Sequence, residues 1–170
     1  DSCLKELNPR HHVPLHLYGQ NIELIINFLR NMYGKDLNII LLTPPPVDVD
    51  ARLQFQIERY GKEGATGVAQ RRNPVTKLYR DIVVSIGKKY NVPVLDLFNL
   101  FLDNNHWKTF LCDGLHFSTN GNEFVGKKLL QCIESSFNDK NNLAISPCKF
   151  TKSFSNSGSD SVYMKHLLPW

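Results

Sequence analysis

Apolar residues at Leu15, Tyr18, Ile22, Ile25, Ile26 and Leu29 fall at offsets 0, 3, 7, 10, 11 and 14, one stripe of a 3.6-residue period. With Pro14 suited to a first turn and Gly34 to a stop, they predict a helix over about 15–32. The run from Asn38 to Thr43 is apolar without alternation and is cut off by Pro44, Pro45 and Pro46. That is the pattern of a buried parallel strand, covered on both faces and ended where proline removes the ladder donor. From 47 to 72 the pattern weakens among Gly61, Gly64, Gly67 and the pair Arg71-Arg72, which reads as a surface excursion holding about one helical turn. Val75, Leu78, Tyr79, Ile82, Val83 and Ile86 then give the cleanest helical stripe, with Asn73 and Pro74 as cap and first position. Asn91 to Leu97 forms a second short apolar run. Helix, strand, helix, strand in this order means a right-handed crossover in a parallel sheet, so the class is α/β.

After an aromatic loop with Trp107 and Phe110 comes the turn Cys112-Asp-Gly-Leu-His-Phe-Ser118. A last helix follows, with Asn120 at its cap, Glu123 three residues on, and Val125, Leu129, Cys132 and Ile133 as its buried stripe. Beyond Phe137 the composition shifts to Asn, Ser and Lys, with six serines between Ser146 and Ser161. Residues 1–137 therefore read as the folded portion and 138–170 as a polar, flexible tail.

Composition narrows the picture. At 170 residues, 42% hydrophobic and 21% charged, the usage is ordinary for a globular domain. The net charge of +4 comes from basic residues scattered along the chain, so charge does not call for a nucleic-acid partner. No apolar run approaches the roughly 18 residues of a membrane span. The four cysteines, Cys3, Cys112, Cys132 and Cys148, have neither disulfide-framework nor CxxC zinc spacing, and they leave the redox compartment open.

Asp113 and His116 are the sharpest chemical pair. In a Ser-His-Asp mechanism a carboxylate holds imidazole Nδ1–H so that Nε2 faces the nucleophile. Three-residue spacing in a glycine-containing turn before a helix suits that task. Chance alone supplies about a third of such a pair from ten Asp and six His, and a helix-capping Asp beside a surface His reads equally well. No G-x-S-x-G elbow supplies a nucleophile. Gly158-Ser-Asp-Ser161 lies in the tail, while Ser118 and Ser85 suit capping and packing. His11, His12, His16 and His106 lack completing carboxylate or Cys spacing and read as surface histidines, so no metal site is expected. Cys112 beside His116 could suggest a thiol nucleophile, against the plainer reading of a buried small hydrophobe. Gly61 to Gly67 lacks phosphate-loop order, and Arg71 with Arg72 reads as a solvated corner.

Taken in order, Val13-Pro-Leu15, Tyr18, Asn21-Ile22, the stretch Ile39 to Asp48, Val92 to Leu97 and Asp113 to Gly121 resemble the SGNH (GDSL-like) hydrolases, most of all the isoamyl acetate-hydrolysing esterase group. The match runs over about residues 1–135. The resemblance implies a flavodoxin-like three-layer α/β/α fold and hydrolysis of small carboxylic esters through an acyl-serine, needing neither metal nor organic cofactor. It assigns Asp113 as the triad acid and His116 as the general base. The family's Gly-Asp-Ser nucleophile and its oxyanion Gly and Asn have no counterpart in these 170 residues. Asp1-Ser2-Cys3 looks like the continuation of the Gly-x-Asn-Asp motif, so the expectation is the carboxyl-terminal portion of such a domain. The strand near Ile39 would then present an unpaired edge, open to self-association. The alternative is an inactive fragment serving as a binding or regulatory module.

Overall fold

In a computed structural model, which describes residues 2–65 and 67–137, the two apolar runs meet as parallel neighbours. Strand β1 (Leu41–Leu42) pairs with β2 (Val94–Leu95) in the register Leu41 to Val94 and Leu42 to Leu95. Bonds from Leu41 N to Pro93 O and from Thr43 N to Leu95 O extend the contact at both ends. The ladder is shorter than the apolar runs that predicted it. Proline at 93 offers no N–H, and three prolines follow Thr43, so regular pairing has few residues to use.

Helix α1 (Leu15–Tyr33) and helix α3 (Asn73–Tyr90) lie where their stripes put them, and they pack against each other. Tyr18 meets Tyr79 edge to face at 5.0 Å. The α1 stripe is only partly inward: Ile26 is fully buried, whereas Ile25 is 57% exposed. Asn73 does not cap α3. Its amide instead accepts from Val47 N at 2.8 Å and donates to Val47 O at 3.0 Å, gripping the chain just after the prolines.

The largest departure lies between 47 and 72, where a sixteen-residue helix, α2 (Val49–Gly64), replaces the expected excursion, bent at Gly61 (φ 75°). Asp48 caps it, accepting from Ala51 N. Val49, Leu53 and Ile57 recur at helical spacing on its inner side. The three glycines hid this period because they cluster at its frayed end.

Helix α4 (Leu97–Leu102) and a 3-10 turn (Trp107–Phe110) lead to α5 (Thr119–Phe137). Successive residues of β2 face opposite sides: Val94 packs against Gly87 of α3, while Leu95 joins the cluster containing Val125 and Cys132 of α5. Helices therefore pack on both faces of β2. The α5-side cluster is dense, with Phe101 against Phe110 at 5.2 Å and Phe110 stacked on Phe124 at 4.5 Å. The flexible tail expected over 138–170 lies outside the described residues.

Candidate active site

At the carboxyl ends of the strands the backbone turns sharply, and buried polar side chains hold it there. Thr43, 2% exposed, donates from Oγ1 to Asp96 Oδ1 at 3.1 Å and accepts from Phe98 N at 3.1 Å. Asp96 also receives the Arg80 guanidinium, through Nε at 3.0 Å and through Nη2. One hydroxyl and one carboxylate thus fasten β1, β2 and α3 together beneath the site.

Above them the segment 111–117 forms a small hairpin. Leu111 bridges Phe117 antiparallel, and Cys112 N bonds His116 O at 2.9 Å. Ser118 closes it, donating to Thr109 O at 2.7 Å and accepting from Gly121 N at 3.1 Å. Ser118, not Asn120, is therefore the N-cap of α5, since its hydroxyl reaches the third residue on. Gly114 adopts φ 78°, and a Cβ there would stand 2.4 Å from Asp48 O and 2.5 Å from Arg52 N. No other residue fits this approach, and it brings the turn onto the first turn of α2, where Asp48 N donates to Gly114 O at 2.9 Å.

That turn brings Asp113 and His116 together. Asp113 Oδ2 stands 2.8 Å from His116 Nδ1, and Oδ1 accepts from Leu115 N at 2.9 Å and His116 N at 2.8 Å. The carboxylate is buried at 7% exposure, while the imidazole is 70% exposed. Burial pushes the Asp113 carboxyl up, but hydrogen bonds from the His116 backbone and ring and from Leu115 N outweigh it and hold the group below the ordinary carboxylate range. A contact invisible to spacing completes the carboxylate: Arg52 Nη1 of α2 donates to the same Oδ2 at 2.5 Å.

With Nδ1 committed to Asp113, His116 Nε2 is turned away from the carboxylate, and the residue lines a cleft of about 390 Å³. Apolar Pro44, Pro45, Val47 and Leu115 line it together with Tyr18, Tyr79, Thr76, Ser2 and Arg71. Arg71 is thus a cleft residue rather than the solvated corner expected of it. Ser2 Oγ and Thr76 Oγ1 lie 3.2 Å apart. Cys112 is exposed, so it is not the buried small hydrophobe that a free cysteine usually is. Ser85 sits on the outer face of α3, and the Gly158 to Ser161 stretch lies outside the described residues. His12 Nδ1 bonds Cys3 O at 2.7 Å and His11 Nδ1 meets Asn8 at 3.3 Å. Among the described residues no group of three His, Cys, Asp or Glu gathers where a metal could sit.

No family model matches the chain. Over 135 residues it is 39% identical to a GDSL esterase/lipase of Arabidopsis thaliana, covering 76% of this chain and 54% of that protein. It is 32% identical over 134 residues to the isoamyl acetate-hydrolyzing esterase 1 homolog of Homo sapiens, covering 79% of this chain and 52% of that protein. Among solved structures, the lipase/acylhydrolase from Enterococcus faecalis superposes with a TM-score of 0.58 at 25% identity, over 74% of this chain and 54% of that one. The chain spans about half the length of the curated relatives it matches.

Proposed function

Because the chain belongs to the SGNH (GDSL-type) hydrolases while spanning about half the length of its relatives, we propose that it carries the acid–base half of a carboxylic ester hydrolase. The observation that carries this reading is the Asp113 Oδ2 to His116 Nδ1 contact of 2.8 Å at a cleft. His116 Nε2 takes the proton of a serine hydroxyl supplied by the part of the domain these residues do not span. The alkoxide attacks the ester carbonyl, and the imidazolium returns its proton to the departing alkoxide. Deacylation repeats the cycle with water. Asp113 holds the Nδ1–H tautomer and stabilises the imidazolium, a task that a carboxylate held ionised below its ordinary range performs across neutral pH. The apolar wall of Pro44, Pro45, Val47 and Leu115 suits the acyl or alcohol group of a small ester.

Hydrolysis of p-nitrophenyl acetate and butyrate by the native gene product tests this. His116→Ala lowers kcat/KM by about 10³-fold or more on this reading, and an unchanged rate overturns it.

A second reading, a non-catalytic binding or regulatory module, draws on a different observation. Leu24, Ile25, Phe28 and Met32 of α1 and Leu42 of β1 are all exposed. Leu41 N and Thr43 N both point to β2, so by strand alternation the N–H of Leu42 faces the opposite edge. A 170-residue chain that light scattering finds as a folded dimer, or bound to a full-length relative, without ester hydrolysis would favour this reading over the first.

A further inference from the structure

We propose that Arg52 is the positioning residue of the Asp113–His116 pair, fixing the carboxylate so that a single direction remains for His116 Nδ1. The inference rests on the hydrolase reading above and adds a residue that lies 61 positions from its partner in sequence.

The geometry is specific. Asp113 has two oxygens and four donors: Oδ1 is filled by the N–H groups of Leu115 and His116, and Oδ2 by Arg52 Nη1 and His116 Nδ1. Without Arg52, Oδ2 would be held only by the imidazole it is meant to aim, whose ring is 70% exposed. The two backbone N–H groups would still hold Oδ1, but no other fixed group of the protein would hold Oδ2. With Arg52, three of the four donors belong to groups that are themselves held, and rotation would break all of them. The guanidinium is partly enclosed in turn: the Arg52 side chain is 20% exposed, and the guanidinium lies over the Phe55 ring at 5.1 Å. A half-buried cation gains from a paired carboxylate, so Asp113 and Arg52 hold each other. The backbone underneath is also fixed, since Arg52 N donates to Asp48 O at 2.9 Å and Asp48 N to Gly114 O at 2.9 Å. Helix α2 is therefore a brace against the catalytic turn.

Other charges near the pair are arranged so as not to compete with it. Lys108 Nζ of the 3-10 turn is taken by Asp48 Oδ1 at 3.2 Å and approaches Asp50 at 4.0 Å. Arg71 lines the same cleft as His116. Arg52 is the cation on the Asp113 carboxylate itself.

The test separates charge from bulk and needs no activity. Arg52→Gln keeps a donor of similar reach without charge, and Arg52→Lys keeps the charge without the planar fork. Carboxyl carbon NMR of the 170-residue chain should show the Asp113 titration midpoint rising in Arg52→Gln and staying near the parent in Arg52→Lys. The downfield His116 Nδ1–H proton resonance should broaden in the Gln variant while dispersed amide spectra show both proteins folded. In the hydrolytically active gene product, Arg52→Gln should lower kcat on the order of tenfold with little change in KM. A folded Gln variant with parental Asp113 midpoint and parental His116 resonance overturns the proposal, as does a rise in KM at constant kcat. Failure of the hydrolase reading would show differently, as full activity in His116→Ala, and would leave the Asp113 titration result standing.

Discussion

The α5 side of the sheet and the outer face of α1 are built from the same kinds of residue, and they end in opposite conditions. On the first, Leu95, Phe101 and Cys132 have no exposed surface, and Phe101 touches three other aromatic rings. On the second, Leu24, Phe28 and Met32 are each more than 60% exposed. Hydrophobicity decides that a surface is removed from water when a partner exists, and it cannot create the partner. The candidate site follows the covered side: its turn leans on Phe110 and Leu111 of that cluster and on α2, and none of its hydrogen bonds uses the bare face of α1.

The contrast can be broken by mutation. Phe101→Ala empties the centre of the α5-side cluster and should cost about 3–5 kcal/mol in urea unfolding. A loss under about 1 kcal/mol would mean that the cluster is loosely packed. Gly114→Ala forces a Cβ against Asp48 O from a φ of 78° and should cost at least about 2 kcal/mol, while lowering any activity with it because the Asp113–His116 turn must move. Asn73→Ala releases both bonds to Val47 and should cost about 1–2 kcal/mol, read as a lower urea midpoint.

Acid titration probes the same side with a smaller effect, because a single carboxyl carries it. The Asp113 carboxyl lies below its ordinary value in the folded chain, so the stability it contributes is fully present above that ordinary value, about pH 4, and is lost as pH falls through the depressed one. Asp113→Asn should flatten that part of the melting-temperature profile. Smallest of all, Phe28→Gln on the bare face should change stability by no more than about 0.5 kcal/mol, since the ring loses little burial. The same variant should reduce self-association in light scattering if that face joins two copies.

Much of the site was legible because its parts are local. Asp113, Gly114 and His116 lie within four residues, and one turn with a left-handed glycine suffices to join carboxylate to imidazole. The prolines at 44 to 46 were legible as the place where an apolar strand must stop, and the structure puts Pro44, Pro45 and Val47 at the cleft. Helix α2 is hard to see in the sequence although Asp48, Val49, Leu53 and Ile57 carry a cap and a period, because glycines at 61, 64 and 67 are equally the mark of a loop. Asn73 was read as a cap, the local use of its amide, when the tertiary use at Val47 prevailed. Ser118 displaced Asn120 by the same logic, since the hydroxyl two residues earlier already reached the free N–H.

By itself the sequence determined the elements whose causes are short-range: the α1 and α3 stripes, the two proline-bounded strands, and a turn that pairs an acid with a histidine. Only the tertiary structure decided which apolar stripe of α1 is covered and that Arg52 meets Asp113 across 61 residues. Periodicity and capping are properties of neighbours along the chain. Burial and long-range ion pairing depend on what else occupies the space, and a row of letters does not contain that information.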